Sequence, residues 1–222
     1  MSFFGFNYNI ANFFQKLKGL DEKNRTELLV GSVFEKIGEI EKKLLEEFGL
    51  SQDSFIVDIG CGGGRLGVRL KEMPNLKYSG FDVVSDFIDY AKNICQRPDW
   101  NFQTITSTKL PLEDNSADFF VFFSVFTHLK EEIIIEYLIE SNRVLKKNGK
   151  VILSFLDPEV EHHNKIVNLS FWQNLKQKIF YPHNFTHSKE HVKIWAEKFG
   201  FNVLKIESPH LIGQSIAVFE KI

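Results

Sequence analysis

Four glycines stand within five residues in "FIVDIGCGGGRL": Gly60, Gly62, Gly63 and Gly64, between an apolar run and a helix-like segment. Glycine reaches positive φ without strain and lets a ligand approach the backbone. Such a turn, between a strand and a helix, offers backbone N–H groups to a nucleotide. Three ligands fit this description: a bare phosphate, a dinucleotide, or a nucleoside without phosphates. A Walker loop needs G-K-[ST], which is absent. The dinucleotide register G-x-G-x-x-G counted from Gly60 needs glycine at position 65, where Arg65 stands. Asp58 adds a carboxylate two residues before the first glycine, awkward beside a pyrophosphate and suited to an ammonium. A second carboxylate, Asp82, ends the next strand pattern, where an acid accepts hydrogen bonds from ribose hydroxyls. Nicotinamide enzymes share that spacing, so Asp82 alone does not discriminate.

The other chemistry-bearing groups are imidazoles and one further acid. His128 follows the fourth strand pattern, at the edge where open α/β sheets bind ligands. It is the candidate general base, with a packing histidine at a helix start as the alternative. Five of the seven histidines lie between 162 and 191. His183, His187 and His191 have i, i+4 spacing, but Pro182 and Asn184–Thr186 read as loop and Ser188 as an N-cap. No metal site is expected, because a metal needs converging imidazoles. His162 and His163, with Asp157, follow the fifth strand pattern and are candidates for contact with an acceptor substrate.

Alternating elements must position these groups. Strands are predicted over Phe55–Ile59, Lys77–Phe81, Asn101–Ile105, Asp118–Phe123 and Lys150–Phe155. Helices are predicted over Arg65–Glu72, Ser85–Cys95 and Glu131–Leu145, and an amphipathic helix over Arg25–Phe48 precedes them. The alternation implies parallel strands with right-handed crossovers. After Phe155 the rhythm breaks. Leu156–His187 reads as an insertion, helical around Val167–Phe180. A helix over Ser188–Phe199 then leads to a hairpin near Phe201–Glu207 and Ser215–Glu220.

Composition bounds the rest. In 222 residues, 43% hydrophobic and 25% charged content fits a folded α/β domain. A net charge of −2 gives no basic footprint for nucleic acid. No apolar run is long enough to span a bilayer, and the first residues lack a signal peptide's basic region. Two cysteines without metal spacing fit a reducing, cytoplasmic setting.

Four ordered segments resemble the class I S-adenosylmethionine-dependent methyltransferases. They are "FIVDIGCGGGRL", "YSGFDVVSDFIDYAK", "LPLEDNSADFFVFFSVFTHL" and "ESNRVLKKNGKVILSF", and the ending "GFNVLKIESPHLIGQSIAVFEKI" resembles the family's reversed last strand pair. The resemblance implies a Rossmann-like α/β fold: a sheet of order 3-2-1-4-5-7-6, strand seven antiparallel, helices on both faces. The resemblance covers about Leu45 to Ile222, so the expected division is an arm and helix over 1–48 and a methyltransferase domain over 49–222 with a helical insertion near 157–187. It implies S-adenosyl-L-methionine as cofactor and S-adenosyl-L-homocysteine as product. Asp58 and the backbone of Gly60, Cys61, Gly62 and Gly64 then face the methionine part. Asp82 holds the ribose, Val83 flanks the adenine, and Phe123 and Ser124 lie under the methionine end. Many relatives place an acid after strand three to meet the adenine. Here Thr106, Ser107 and Thr108 stand in its place.

The expected reaction is methylation of a small polar metabolite, an O-methylation of a sugar or sugar derivative, with surface glycans as one setting. The chain lacks the [DNS]-P-P-[YFW] element of enzymes that methylate nucleic-acid amines, and neither Cys61 nor Cys95 follows a proline as a cytosine-attacking thiol does. No nucleic-acid or membrane partner is expected. The aromatic arm at residues 3–14 reads equally as a lid or as a packed arm, including at a homodimer interface. A nicotinamide oxidoreductase and a non-catalytic module that binds S-adenosylmethionine are the alternatives.

Overall fold

The computed structural model describes residues 32–168 and 184–222. A seven-stranded sheet organises them. In chain order the elements are α1 (Ser32–Glu47), β1 (Phe55–Ile59), α2 (Arg65–Leu70), β2 (Lys77–Asp82), α3 (Ser85–Cys95), β3 (Asn101–Thr104) and β4 (Ala117–Phe122). A 3₁₀ turn (Phe126–His128) leads to α4 (Glu131–Val144) and β5 (Leu145–Phe155). After β5 come α5 at 161–168, α6 (Lys189–Lys198), β6 (Phe201–Glu207) and β7 (Ser215–Lys221).

The sheet order is β3-β2-β1-β4-β5-β7-β6. The first five strands pair in parallel, and β7 runs antiparallel between β5 and β6. This is the order that the family resemblance implies. Parallel pairing puts the carboxyl ends of β1–β5 along one edge, so each β–α connection there can reach a common ligand.

Strand alternation divides the core into two layers. Val57, Ile59, Phe81, Phe120, Phe122 and Leu153 face one way, where Ile134, Leu138 and Trp195 of α4 and α6 pack. Ile56, Tyr78, Phe119, Val121 and Ile152 face the other, against Leu44 and Leu45 of α1, Leu66 of α2 and Ile88 of α3. Burial on both faces explains why β4 is apolar nearly throughout.

Several boundaries move from their sequence positions. The helix predicted over Arg65–Glu72 ends at Leu70, and β3 stops at Thr104. α4 ends at Val144, and β5 begins at Leu145, because Leu145 already pairs with Ala117 across a register shift. Strand pairing, which sequence does not display, sets that start. The described part of the insertion is helical at 161–168. The remainder of the helix expected around Val167–Phe180 lies outside the described residues, as do the aromatic arm and His183. The returning chain docks on the carboxyl edge through Phe185 N–H to Thr127 O (2.8 Å) and His187 N–H to Leu156 O (2.8 Å).

Candidate active site

Backbone hydrogen bonds tie the turn after β1 to the end of β2. Gly60 N–H donates to Phe81 O (2.7 Å) and Cys61 N–H to the same oxygen (3.1 Å). Both Gly60 and Gly62 have positive φ, at 69° and 52°. A Cβ on Gly60 would lie 2.5 Å from Val125 Cγ2, whereas one on Gly62 would meet no described residue within 4 Å. Gly60 therefore serves packing, and Gly62 leaves an open face over the turn that a ligand can fill. The Cys61 side chain is buried towards Gly80 in the α1–α3 layer, so only its backbone borders this face.

Asp82, 8% exposed, closes the turn from β2. Its Oδ2 accepts from Gly62 N–H (2.9 Å) and its Oδ1 from Val84 N–H (3.0 Å). Burial raises its pKa to about 6, and these backbone donors pull the other way. The carboxylate is thus fixed beside the glycine turn, and half-buried Val83 follows it directly.

Beneath the turn lies a cluster of buried charge. Asp58, 3% exposed, shares a sheet face with Ile56, and its Oδ2 accepts from the Tyr78 hydroxyl of β2. Arg65 grips Glu41 of α1 with two bonds, Nη2 to Oε1 at 2.5 Å and Nε to Oε2 at 3.1 Å. Glu41 is 1% exposed. Burial pushes the Glu41 carboxyl up, and Arg65 opposes it. Burial also pushes Asp58 up to about 7, while the Tyr78 hydrogen bond lowers it. Close approach of α1 to α2 makes the pair possible: a Cβ on Gly38 would lie 2.9 Å from Arg65 O.

The end of β4 forms the next wall. Ser124 has a φ of 62°, unusual for a residue other than glycine and a mark of a constrained position. Its N–H donates to Ser154 Oγ (2.7 Å), and Gln214 Nε2 donates to its Oγ (3.1 Å). Phe123 is buried in the core just before it. His128 closes the 3₁₀ turn that follows, half-buried, on the same edge. The segment after β3 reaches this edge too. Thr106 and Ser107 are exposed, Ser107 Oγ accepts from Lys109 N–H (3.1 Å), and Thr108 Oγ1 is taken by Glu136 of α4 (2.8 Å).

Asp157, His162 and His163 stand beyond β5, in different settings. Asp157 is fully buried: Oδ1 accepts from Glu159 N–H (3.0 Å), and Oδ2 from Ser208 Oγ (2.7 Å) with Lys189 Nζ at 3.6 Å. That carboxylate ties β5 to the β6–β7 connection. His163 is also fully buried, its Nδ1 accepting from Asp157 N–H (2.9 Å) while Nε2 has no hydrogen-bond partner among the described residues. His162 is exposed. His187 Nε2 meets Phe126 O (3.1 Å), and the His187 and His191 rings both pack on Trp195. Among the described residues no group of three His, Cys, Asp or Glu side chains is placed to hold a metal.

A polar cleft of about 330 Å³ lies at the opposite, amino-terminal edge, lined in part by Ser51, Asp118, Lys146 and Lys150. Lys146 is paired with Asp118 (2.7 Å) and Lys150 with Glu220 (3.5 Å), so its charges are largely matched within the protein. It takes no part in the site described above.

Tyr78, Glu41, Ser154 and Gln214 do not emerge from motif reading. Glu41 carried a signal: with Ile37, Leu44 and Leu45 it falls on the apolar face of α1, where an acid requires a partner. The others become visible only when strands pair.

Comparison with known proteins agrees with this geometry. Residues 56–149 match the family model described as a methyltransferase domain. An uncharacterized methyltransferase of Schizosaccharomyces pombe is 30% identical over 115 residues, 52% of this chain and 44% of that protein. The chain thus matches less than half the length of that curated relative. Among solved structures, the protein bound by the Haloferax volcanii Trm112 methyltransferase activator superposes with a TM-score of 0.70 at 16% identity, over 96% of both chains. Magnesium protoporphyrin IX methyltransferase of Synechocystis, solved with S-adenosylhomocysteine, gives 0.66 at 15% identity over 97% of this chain and 96% of that one. A SAM-dependent methyltransferase of Aquifex aeolicus gives 0.62 at 20% identity over 94% and 98%. Residues 56–149 thus match a methyltransferase domain, and the described residues share the fold of these solved methyltransferases.

Proposed function

We propose that this chain transfers a methyl group from S-adenosylmethionine to a hydroxyl of a small polar metabolite, a sugar or sugar derivative. The observation that carries the reading is the turn: Asp82 is locked by two backbone donors beside Gly62, whose outer face is open. When bound, the cofactor supplies a methyl group already activated on a sulfonium. Asp82 and Val83 hold the nucleoside, the Gly60–Gly64 backbone and Asp58 hold the amino-acid end, and Ser124 borders the reacting end.

The protein's part in such a displacement is alignment and exclusion of water. Ser124, fixed by Ser154 and Gln214, supplies a rigid wall. His128 takes the proton of the attacking hydroxyl, since an alkyl hydroxyl is a poor nucleophile without a base. The polar groups at this end, Ser124 and Gln214, support a hydroxyl-bearing acceptor over an apolar one. Proposals that the protein works in the cytoplasm and that the arm forms a lid or a homodimer contact accompany this reading. Among the described residues no helix is long and apolar enough to cross a membrane.

The test runs in two stages. Calorimetry is expected to show S-adenosylhomocysteine binding without competition from NAD. Tight NAD binding would falsify the reading. Labelled methyl donor mixed with protein and fractionated cell metabolites is then expected to label a polar fraction. Label in no fraction would leave a binding module without transfer. Replacement of His128 by Ala is expected to lower turnover about a hundredfold with homocysteine-product affinity unchanged. Unchanged turnover removes the base assignment.

A further inference from the structure

Gln214 stands where the β6–β7 connection meets the end of β4. Ser154 pairs with Ile216 and Phe155 with Ser215, so Gln214 lies one residue past the pairing, on the sheet face of Ser154. From that face both residues act on Ser124: Ser154 Oγ accepts from its N–H (2.7 Å), and Gln214 Nε2 donates to its Oγ (3.1 Å). The connection that carries Gln214 is held at several points. Ser208 Oγ donates to Asp157 Oδ2 (2.7 Å), His210 N–H to Gln214 O (2.8 Å) and Gly213 N–H to His210 O (2.9 Å). Ile212 packs into the α1–α3 layer. Yet only one end of the Gln214 carboxamide is used. Its Oε1 is buried with no hydrogen-bond partner among the described residues. An amide oxygen carries two lone pairs and is costly to bury bare. Packing alone would select an apolar side chain of that length.

We propose that Gln214 is a specificity residue for the methyl acceptor: its Oε1 accepts a hydrogen bond from a second hydroxyl of the substrate, not the one that receives the methyl group. This rests on the methyl-transfer reading given above. A hydroxyl has one hydrogen, and the attacking hydroxyl gives it to His128. An amide oxygen accepts a hydrogen bond without taking the proton, so the hydroxyl it holds is a different group. The acceptor class narrows to polyhydroxylated compounds, because an acceptor with a single hydroxyl leaves Oε1 bare. A site built to pair with a hydroxyl rejects the analogue that lacks it. The last torsion of a glutamine is soft, so the carboxamide turns toward an incoming hydroxyl without movement of the backbone.

The experiment measures transfer from labelled methyl donor to the polar metabolite fraction, with the amount of fraction varied. Three proteins are compared: unaltered, Gln214→Met and Gln214→Glu. Gln214→Met keeps the length and removes the amide. It is expected to raise the amount of fraction needed for half-saturation about tenfold, with the smaller share of the loss in the rate at saturation. Gln214→Glu keeps an accepting oxygen and loses the N–H donor, and is expected to stay within about threefold of the unaltered protein. Calorimetric affinity for S-adenosylhomocysteine is expected to stay within about threefold in both. Acetylation of the labelled product, counted by mass spectrometry, is expected to find at least one hydroxyl still free. Half-saturation unmoved in Gln214→Met overturns the proposal, as does Gln214→Glu impaired as much as Gln214→Met, or a labelled product with no free hydroxyl. Loss of S-adenosylhomocysteine affinity in step with transfer also overturns it, because Gln214 then serves the cofactor. If neither variant folds, the hydroxyl count on the product of the unaltered protein decides alone. No label from the unaltered protein overturns the transfer reading and this inference together; equal label from all three overturns this inference alone.

Discussion

The two ends of the site are built differently. At the β1–β2 end, the ends of two adjacent strands do most of the work. The Gly60–Gly64 turn bonds to Phe81 O and to Asp82, and every bond joins the ends of two adjacent parallel strands. At the β4–β5–β7 end, Ser124, Ser154, Asp157, Ser208 and Gln214 converge from widely separated segments. At that end, His163 Nε2 and Gln214 Oε1 are buried with no hydrogen-bond partner among the described residues. Buried polar atoms are ordinarily satisfied, and leaving one bare costs about 1–3 kcal/mol. One end is a finished socket of backbone; the other is a polar wall with unused hydrogen-bonding capacity.

The comparison can be broken most sharply at Asp82. Asp82→Ala removes both backbone bonds and the carboxylate, and S-adenosylhomocysteine affinity is expected to fall a hundredfold or more by calorimetry. A change below threefold would remove Asp82 from the socket. Asp157→Ala probes the other end. Loss of a fully buried carboxylate that ties Ser208, Lys189 and Glu159 together is expected to destabilise by about 3 kcal/mol in urea unfolding. Stability kept, with acceptor methylation lost, would instead make Asp157 part of the acceptor pocket.

A pH scan of the ligand-free protein tests the buried acids beneath the turn. Asp58, Asp82 and Glu41 have raised pKa values, so between the unfolded carboxylate range and about 7 the native state binds more protons than the unfolded chain. Their contribution to stability is complete below pH 4 and is lost as pH rises through 6 and 7. Tm is expected to fall by several degrees from pH 5 to 8, and less in Asp58→Asn. A slope unaltered by that substitution would show that Asp58 does not titrate there.

The smallest effects separate two glycines. Gly60→Ala adds a Cβ 2.5 Å from Val125 at positive φ and is expected to cost about 2 kcal/mol in stability. Gly62→Ala meets no atom of the described residues, so its stability cost is expected near 1 kcal/mol, while cofactor affinity falls about tenfold. Equal loss of binding from both would erase the distinction between packing and ligand clearance.

The sequence alone determined the alternation of strands and helices, the glycine turn, and the carboxylate after β2. Those features are local: a turn needs its glycines, and parallel adjacency puts Asp82 beside Gly62 once β1 and β2 pair. The motif order also carried the sheet order, including the reversed β7, through family resemblance. Tertiary structure decided the rest. It buried Asp157 as a tie, turned Cys61 into the core, and sent Thr108 to Glu136. It also set Tyr78 on Asp58 and Gln214 on Ser124. Those pairs lie 20 and 90 residues apart. Their meeting depends on strand register and on which layer each helix covers, and neither leaves a local pattern in the sequence.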